Sequence, residues 1–206
     1  MTKVEVINDT RRCSQIAEIL KSYDVLSVDA EGINLGKEGP LTLLQVGTPY
    51  QKVYLFDVWT DETLLKNRHM REILESPRIV KVMQYCREDS AALYFQFNIQ
   101  LKNVFDIQVA HLVIEEHKGL KLPRTLKLAE ICKRYSKNAE VFEEKDSVKI
   151  KFVKEVGDFW AQRPLTREMI DYAAGDETAI IPEVYETQKE FMYVKTEYVL
   201  YNYSTS

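Results

Sequence analysis

The strongest constraint on the fold is a change of pattern along the chain. Three short apolar runs that predict β-strands come first, at residues 25–30, 41–46 and 52–56, and helices then alternate with single strands. Three glycines and a proline mark residues 32–40 as a loop. Hairpin-like strands followed by strand–helix alternation predict an α/β fold, in which a mixed β-sheet is flanked by helices on both of its faces.

Helical spacing and cap residues predict the other elements. After the cap Asn8-Asp9-Thr10, a first helix is expected to end near Ser22. Two further strands are expected at residues 79–83 and 103–105. Helices are expected at residues 61–74, 89–97, 107–116 and 125–135, and a last helical region, which Pro182 should kink, is expected to begin at Thr166.

Length and composition predict a single globular domain. No linker, repeat or low-complexity tract divides residues 1–206, and the apolar share of 45% is that of a globular protein. No run of about 18 apolar residues could cross a bilayer, so no membrane partner is expected. The three cysteines are widely spaced and no signal peptide begins the chain, which predicts a cytoplasmic protein, with the nucleus as the alternative.

Two acids end the first predicted strand. Asp29 and Glu31 are two positions apart, so their side chains point to the same face. Like charges this close cost free energy unless a cation neutralises them, and carboxylate oxygens are the ligands that hard divalent cations prefer. The alternative is an exposed acid pair held by a lysine or an arginine.

Two more acids occupy unusual positions. Asp176 lies one helical turn after Tyr172 and interrupts an apolar-leaning face of the last helix. Asp89 follows the strand at residues 79–83 and begins a helix. The alternatives are a surface acid for Asp176 and a helix cap for Asp89.

Together these acids predict a metal site. Acids from different elements can converge at one edge of a mixed sheet, and four carboxylates can hold two Mg²⁺ or Mn²⁺ ions. The four are Asp29, Glu31, Asp89 and Asp176. A pair of ions about 3.5–4 Å apart is the arrangement used for phosphodiester hydrolysis, and Tyr172 is then placed to orient the attacking water.

Several segments together resemble the three exonuclease motifs of the DEDD family. They are Val28-Asp-Ala-Glu31, Lys81-Val-Met-Gln-Tyr-Cys-Arg-Glu-Asp89 with Val104-Phe-Asp-Ile107, Arg163-Pro-Leu-Thr, and Tyr172-Ala-Ala-Gly-Asp176. The tyrosine resembles that of the DEDDy branch, which includes RNase D and the Werner exonuclease domain. The resemblance implies an RNase H-like fold and two-metal 3′–5′ exonuclease chemistry. It also implies that Asp29, Glu31, Asp89 and Asp176 are the metal ligands and that Tyr172 orients water.

The loop from Glu31 to Gln45 is similar to that of the subgroup that contains Egalitarian and exonuclease 3′–5′ domain-containing protein 1. This resemblance implies RNA as substrate or ligand, a link to RNA localisation and piRNA biogenesis, and a homodimer or protein partners from a small-RNA pathway. Some members of the subgroup bind RNA as adaptors without cleaving it. Two departures from relatives are Gln84, where many have a histidine, and Gly32, where a bulkier residue is common. Gly32 is predicted to lie beside the 3′ nucleotide of the RNA.

Charge is distributed unevenly along the chain. The formal charge is −4, but residues 118–154 hold eleven Lys or Arg and five Asp or Glu, a net charge of +6. Phosphate backbones attract such a segment without reading base sequence. The segment therefore predicts RNA contacts by Lys118, Lys121, Arg124 and Lys127, with a solvated helix face as the alternative.

Three hypotheses about function follow. The first is a metal-dependent 3′–5′ exonuclease acting on single-stranded RNA, and the second is an RNA-binding adaptor on the same scaffold that does not cleave. The third is a DNA-directed exonuclease for proofreading or repair. Two remaining acids have simpler interpretations, because Asp57 is expected to form a turn and Asp106 to cap a helix.

Overall fold

A mixed β-sheet is the centre of the fold. The computed structural model describes residues 2–121, 123–136 and 159–192, without the side chain of Asp176. In that part of the chain the strands are β1 (Lys3–Ile7), β2 (Val25–Gly32), β3 (Leu41–Gly47), β4 (Lys52–Phe56), β5 (Val80–Met83) and β6 (Val104–Asp106). They lie in the order β1-β4-β3-β2-β5-β6. Strand β3 is antiparallel to both of its neighbours, and the other neighbouring pairs are parallel.

Some helices connect the strands, and others come after the last strand in the sequence. They are α1 (Thr10–Leu20), α2 (Thr63–Lys66), α3 (Arg68–Leu74), α4 (Arg87–Phe97), α5 (Ile107–His117), α6 (Leu128–Tyr135) and α7 (Arg167–Ala179), with a short 3₁₀ turn at Phe159–Ala161. Residues 185–192 are also helical. None of the helices in the described residues is long and apolar enough to cross a membrane.

Alternate residues of the strands pack into different halves of the core. Leu44 of β3 belongs to the half that α1, α3 and α4 share. Its neighbour Leu43 packs with Ala173 and Ala174 of α7 on the opposite face. Helices α5 and α6 pack beside α7 against Val82 of β5. The predicted α/β fold, with helices on both faces of a mixed sheet, is therefore confirmed.

The carboxyl ends of β2, β5 and β6 lie at one edge of the sheet because these three strands are parallel. Strand β2 ends just after Glu31, β5 leads into α4, and β6 leads directly into α5. In open α/β sheets, ligands bind in the crevice outside such strand ends. This edge of the sheet is therefore where a functional site is expected.

Some element boundaries differ from the prediction. Strand β1 was not predicted, because it is held in the sheet by parallel pairing with β4, which lies far away in the sequence. The helix expected at residues 61–74 is divided, because Asn67 is extended (φ −64°, ψ 128°) and its side chain accepts a hydrogen bond from the backbone N–H of His69. Helix α6 begins at Leu128 rather than at Thr125.

The predicted break at Pro182 is confirmed. Ile181 leaves helical geometry (φ −127°, ψ 144°), and the helix resumes after the proline. Proline lacks the N–H that a helical hydrogen bond needs, and it disfavours helical geometry in the residue before it. The last helical region is therefore α7 followed by a separate segment at residues 185–192.

A lysine is buried inside the sheet. Lys81 of β5 is 0% exposed, and its Nζ donates hydrogen bonds to the carbonyl oxygens of Ser76 and Ile79 at 2.7 and 2.9 Å. Burial lowers the pKa of Lys81 from its ordinary value of 10.5 to about 8. The two carbonyl groups thus replace only part of the hydration that the ammonium group loses on folding.

We expect the Lys81→Met substitution to change how stability depends on alkaline pH. Between about pH 8 and 10.5 the unfolded chain keeps a proton that Lys81 loses in the folded chain, so this group makes the free energy of unfolding rise with pH. Relative to Lys81→Met, the wild type should gain about 3 kcal/mol across this window. Urea denaturation of both proteins at several pH values measures the difference.

In the difference between wild type and Lys81→Met, the contributions of the other titrating groups to the free energy of unfolding cancel. Burial raises the pKa of the Cys13 and Cys86 thiols to about 12, so each lowers the stability of both proteins as the pH rises. The difference between wild type and Lys81→Met isolates the lysine. A difference that stays constant from pH 8 to 10.5 would contradict the prediction.

Candidate active site

Strand β2 directs the first two predicted site residues to one face of the sheet. Val28 and Ala30 are two positions apart and both belong to the core shared with α1, α3 and α4, so Asp29 and Glu31, which alternate with them, point to the opposite face. On that face Glu31 is in register with Leu43 of β3, which packs against α7. Strand geometry therefore turns both half-buried carboxylates toward the side of the sheet that α7 covers.

Helix α4 brings Asp89 to β2. Asp89 lies in the first turn of α4 and is 6% exposed. Burial raises its pKa to about 6, against the effect of hydrogen bonds to its carboxylate from its own backbone and from the backbone of Ala30. Because Ala30 lies between Asp29 and Glu31, this hydrogen bond brings Asp89 to the stretch of β2 that carries the first two acids. The N-cap of α4 is Cys86, so Asp89 is not the cap that the alternative interpretation expected.

Helix α7 carries the tyrosine and the fourth acid. The Thr166 side chain caps it by accepting a hydrogen bond from the backbone N–H of Met169, and the helix packs across β2, β3 and β4. Tyr172 is half-buried, and its ring centroid lies 5.9 Å from that of Trp160. The backbone of Asp176 lies one turn further along the helix.

The site residues therefore fall into two groups. Asp29, Glu31 and Asp89 belong to the region at the carboxyl end of β2, where Asp89 accepts a hydrogen bond from the backbone of Ala30. Tyr172 lies on the helix that covers the face to which Asp29 and Glu31 point. Among the described side chains, which exclude Asp176, no group of three His, Cys, Asp or Glu residues is arranged to hold a metal ion. The donor set itself consists of carboxylate oxygens, which is the chemistry that Mg²⁺ and Mn²⁺ prefer. The residues present thus fit hard divalent cations and do not fit zinc or copper.

Asp106 has the predicted capping role and a second role that was not predicted. Its Oδ1 accepts hydrogen bonds from the backbone N–H groups of Gln108 and Val109 at the start of α5, at 2.8 and 3.2 Å. The same carboxylate accepts from the N–H groups of Tyr85 and Cys86 at 3.1 and 3.0 Å. Asp106 therefore joins the start of α5 to the start of α4, the helix that positions Asp89.

The turn role of Asp57 is also confirmed. The Asp57 carboxylate accepts hydrogen bonds from the backbone N–H and the hydroxyl of Thr60, at 3.2 and 2.8 Å. It also forms an ion pair with Arg163, at 2.5 Å between Nη2 and Oδ1. The sequence contained Arg163 in one of the quoted motifs, but nothing in it indicated this partner.

The four basic residues predicted to contact RNA lie in the connection between α5 and α6. Lys118 forms an ion pair with Glu115 at 3.0 Å, and Arg124 forms one with Glu130 at 2.9 Å. Lys121 is exposed, and Lys127 is the N-cap residue of α6. Glutamates thus balance part of the positive charge. Residues 137–154 of the predicted basic segment lie outside the described residues.

Gly32 has a structural reason to be glycine. A Cβ at this position would lie 2.3 Å from the carbonyl oxygen of Pro40, at an irregularity in the pairing of β2 with β3. The backbone N–H of Ile33 donates a hydrogen bond to the same oxygen at 3.1 Å. Closure of the loop over residues 33–40 therefore requires glycine, and contact of Gly32 with RNA stays a prediction.

Gln96 is a residue that the sequence analysis did not single out. Its Oε1 accepts a hydrogen bond from the backbone N–H of Leu41 at 3.0 Å. Its Nε2 donates to the carbonyl oxygens of Gly36 and Gly39 at 2.9 and 2.8 Å. One side chain thus ties the loop that follows Glu31 to helix α4, and no periodic or compositional signal marks it.

The architecture is an α/β fold built on a mixed sheet, and comparison with known proteins identifies the family to which it belongs. The chain superimposes on the crystal structure of Trypanosoma brucei RNase D in complex with RNA U12 with a TM-score of 0.74. That alignment covers 92% of this chain and 62% of the other, at 22% sequence identity, and shows a shared fold. Residues 4–187 match the profile of a protein family described as 3′–5′ exonuclease. The chain belongs to this 3′–5′ exonuclease family.

Two curated relatives are similar in sequence. The piRNA biogenesis protein EXD1 of Mus musculus is 36% identical over 165 residues, which are 79% of this chain and 29% of the relative. The Egalitarian protein homolog of Caenorhabditis elegans is 28% identical over 95 residues, which are 46% of this chain and 17% of the relative. The chain therefore spans less than a third of the length of either relative. The subgroup resemblance inferred from the loop after Glu31 is confirmed.

Proposed function

We propose that the chain is a metal-dependent 3′–5′ exoribonuclease that removes nucleotides from single-stranded RNA by two-metal hydrolysis. The observation that supports this most directly is the hydrogen bond between the Asp89 carboxylate and the backbone of Ala30, the residue of β2 that lies between Asp29 and Glu31. Membership of the 3′–5′ exonuclease family and a fold shared with an RNase D that was solved with RNA add support.

In this proposal the four acids Asp29, Glu31, Asp89 and Asp176 hold two divalent cations, Mg²⁺ or Mn²⁺. Such ions supply an activated water and stabilise the leaving oxygen when a phosphodiester bond is broken. Strand β2 and helix α4 contribute three of the acids from the sheet side, and α7 contributes the fourth. Their negative charges repel one another in the absence of cations, which is the arrangement expected of a site built for metal.

Tyr172 is proposed to hold the attacking water. Its ring packs beside Trp160, which limits the directions that the phenol can take. A hydroxyl held in this way can orient water toward the last phosphodiester bond, and orientation alone can contribute a large part of a rate enhancement. We further propose that Gly32 lies beside the 3′ nucleotide and that Lys118, Lys121, Arg124 and Lys127 attract the phosphate backbone.

The proposal is tested with a linear, 5′-labelled single-stranded RNA carrying a free 3′ hydroxyl. With Mn²⁺ or Mg²⁺ we expect progressive shortening from the 3′ end and release of nucleoside monophosphates, and with EDTA we expect neither. A circular RNA of the same sequence is the matched control, because it offers an endonuclease every bond but an exonuclease no end. Equal cutting of the circle, or linear RNA that stays intact with both metals, would contradict the proposal.

The same assay separates the other hypotheses. Single-stranded DNA of the same sequence, shortened faster than the RNA, would favour the DNA-directed exonuclease. RNA that is retained on the protein but not shortened would favour a non-cleaving adaptor in a small-RNA or mRNA-localisation complex, acting as a homodimer or with protein partners. The adaptor is kept as a second candidate because the similar mouse protein is named for piRNA biogenesis.

A further inference from the structure

Arg163 joins three separate segments of the chain. Its Nε donates hydrogen bonds to both carboxylate oxygens of Asp57 at 2.8 and 2.7 Å, and its Nη2 donates to Oδ1 at 2.5 Å. Nη2 also donates to the carbonyl oxygen of Thr42 at 3.2 Å, and Nη1 donates to that of Trp160 at 3.1 Å. Only 17% of the Arg163 side chain and 6% of the Asp57 side chain are exposed.

Two partners of Arg163 lead to different parts of the candidate site. Thr42 of β3 is fully buried, and its hydroxyl donates a hydrogen bond to the carbonyl oxygen of Glu31 at 3.2 Å. Trp160 contacts the ring of Tyr172, with 5.9 Å between centroids and 54° between the ring planes. Arg163 is therefore a polar link between the strand that carries the acids and the aromatic pair that contains the tyrosine.

The chemistry of this link requires an arginine. The guanidinium group is planar and presents its N–H donors in a fixed fork, so it can bind a carboxylate and two carbonyl groups at set angles. A lysine keeps the charge but loses the fork. Because the ion pair with Asp57 is nearly buried, removal of the charge would leave an unpaired carboxylate in the interior. The geometry is thus that of a group that fixes the relative position of its neighbours.

We propose that Arg163 is a positioning residue for the reaction, which holds Trp160 against Tyr172 and thereby sets the tyrosine hydroxyl relative to the acids of β2. Arg163 itself acts through its neighbours and has no contact with the reacting atoms in this proposal. The inference rests on the proposed function, because it assigns a role in water orientation to Tyr172.

The test uses Arg163→Lys, with Arg167→Lys as the matched control. Arg167 begins α7 and forms an ion pair with Asp171 at 2.8 Å, but its side chain is 86% exposed. We expect Arg163→Lys to lower kcat on linear RNA roughly 10- to 100-fold, because misplacement by about 1 Å can cost that much. KM and Mn²⁺ affinity should stay near the wild-type values, and Arg167→Lys should match the wild type throughout.

A double-mutant cycle distinguishes positioning of the tyrosine from a general loss of structure. If Arg163 acts through Tyr172, then Arg163→Lys should have little further effect on kcat in a Tyr172→Phe background. Additive effects of the two substitutions would overturn the proposal, and so would an unchanged kcat in Arg163→Lys. Trp160→Leu should lower kcat as Arg163→Lys does, whereas Trp160→Phe should keep most of the wild-type kcat. Equal kcat values for Trp160→Leu and Trp160→Phe would also overturn the proposal.

Fluorescence provides a readout that does not depend on turnover. The chain has two tryptophans, so Trp59→Phe leaves Trp160 as the sole reporter. In that background we expect Arg163→Lys to shift the emission of Trp160, and Arg167→Lys to leave it unchanged. If no protein, wild type included, shortens RNA, the proposed function fails, and the emission alone then decides whether Arg163 positions Trp160. An unshifted emission would overturn the positioning role.

Discussion

Asp29→Asn should remove RNA shortening almost completely while leaving the fold intact. Asparagine has the size of aspartate but lacks its charge, so one ligand to the proposed cations is lost from β2 without a change in packing. We expect the rate to fall roughly 100-fold or more, since residues that merely support metal ligands already contribute about 10- to 100-fold. Release of nucleoside monophosphates from linear RNA with Mn²⁺ measures the loss.

The stability of the metal-free protein should not fall with the activity. Asp29 shares a strand face with Glu31, so neutralising it removes repulsion between these two like charges. The melting temperature of Asp29→Asn without metal should therefore equal or exceed that of the wild type. Asp24→Asn is the matched control, because Asp24 precedes the same strand, is 83% exposed at its side chain and pairs with Arg78. Equal RNA-shortening rates for the two variants would contradict the metal role of Asp29.

Asp106→Ala is expected to produce the largest loss of stability among the single substitutions considered. Alanine would leave four backbone N–H groups at the starts of α4 and α5 without their acceptor. It would also release Tyr85, whose φ of 54° is unfavourable for a residue with a side chain. We expect a loss of about 2–4 kcal/mol in the free energy of unfolding, since hydrogen bonds to a charged group contribute more than neutral ones. Urea denaturation measures it.

Asp9 provides the comparison for this substitution. It is an ordinary N-cap, whose side chain accepts one hydrogen bond, from the backbone N–H of Arg12 at 2.8 Å. Asp9→Ala should therefore cost about 1 kcal/mol. If Asp106→Ala costs no more than Asp9→Ala, then Asp106 is a simple cap and does not hold the two helices together.

The elements that could be predicted are those whose local pattern of apolar residues indicates which positions are buried. Helix α1 repeats apolar residues at helical spacing, and strand β4 is a short continuous apolar run; the predicted bounds of both agree closely with the structure. Strand β1 could not be predicted in this way, because its partner β4 lies about 50 residues later in the chain. The break at Asn67 was missed because an apolar helical pattern continues on both sides of it.

The same distinction between local pattern and long-range contact applies to the candidate site. The two acids of β2 could be predicted to share a face, because strand geometry alone decides it. Gln96, Thr42 and the partner of Arg163 could not be predicted, because their hydrogen bonds join residues 11 to 121 positions apart. Local pattern thus indicates which groups could do chemistry, whereas the contacts that position them depend on the folded chain.

The position of α7 on the sheet has a consequence for synthesis of the protein. A ribosome makes every strand of the described sheet before it makes α7, the described helix that packs on Leu43, Val53 and Leu55. Until α7 forms, this apolar strand surface lacks that cover, and apolar surfaces of this kind associate with other unfinished chains or with chaperones. The helix that carries Tyr172 is also the one that covers this surface, so cover of the strands and placement of the proposed water-orienting residue depend on the same folding step.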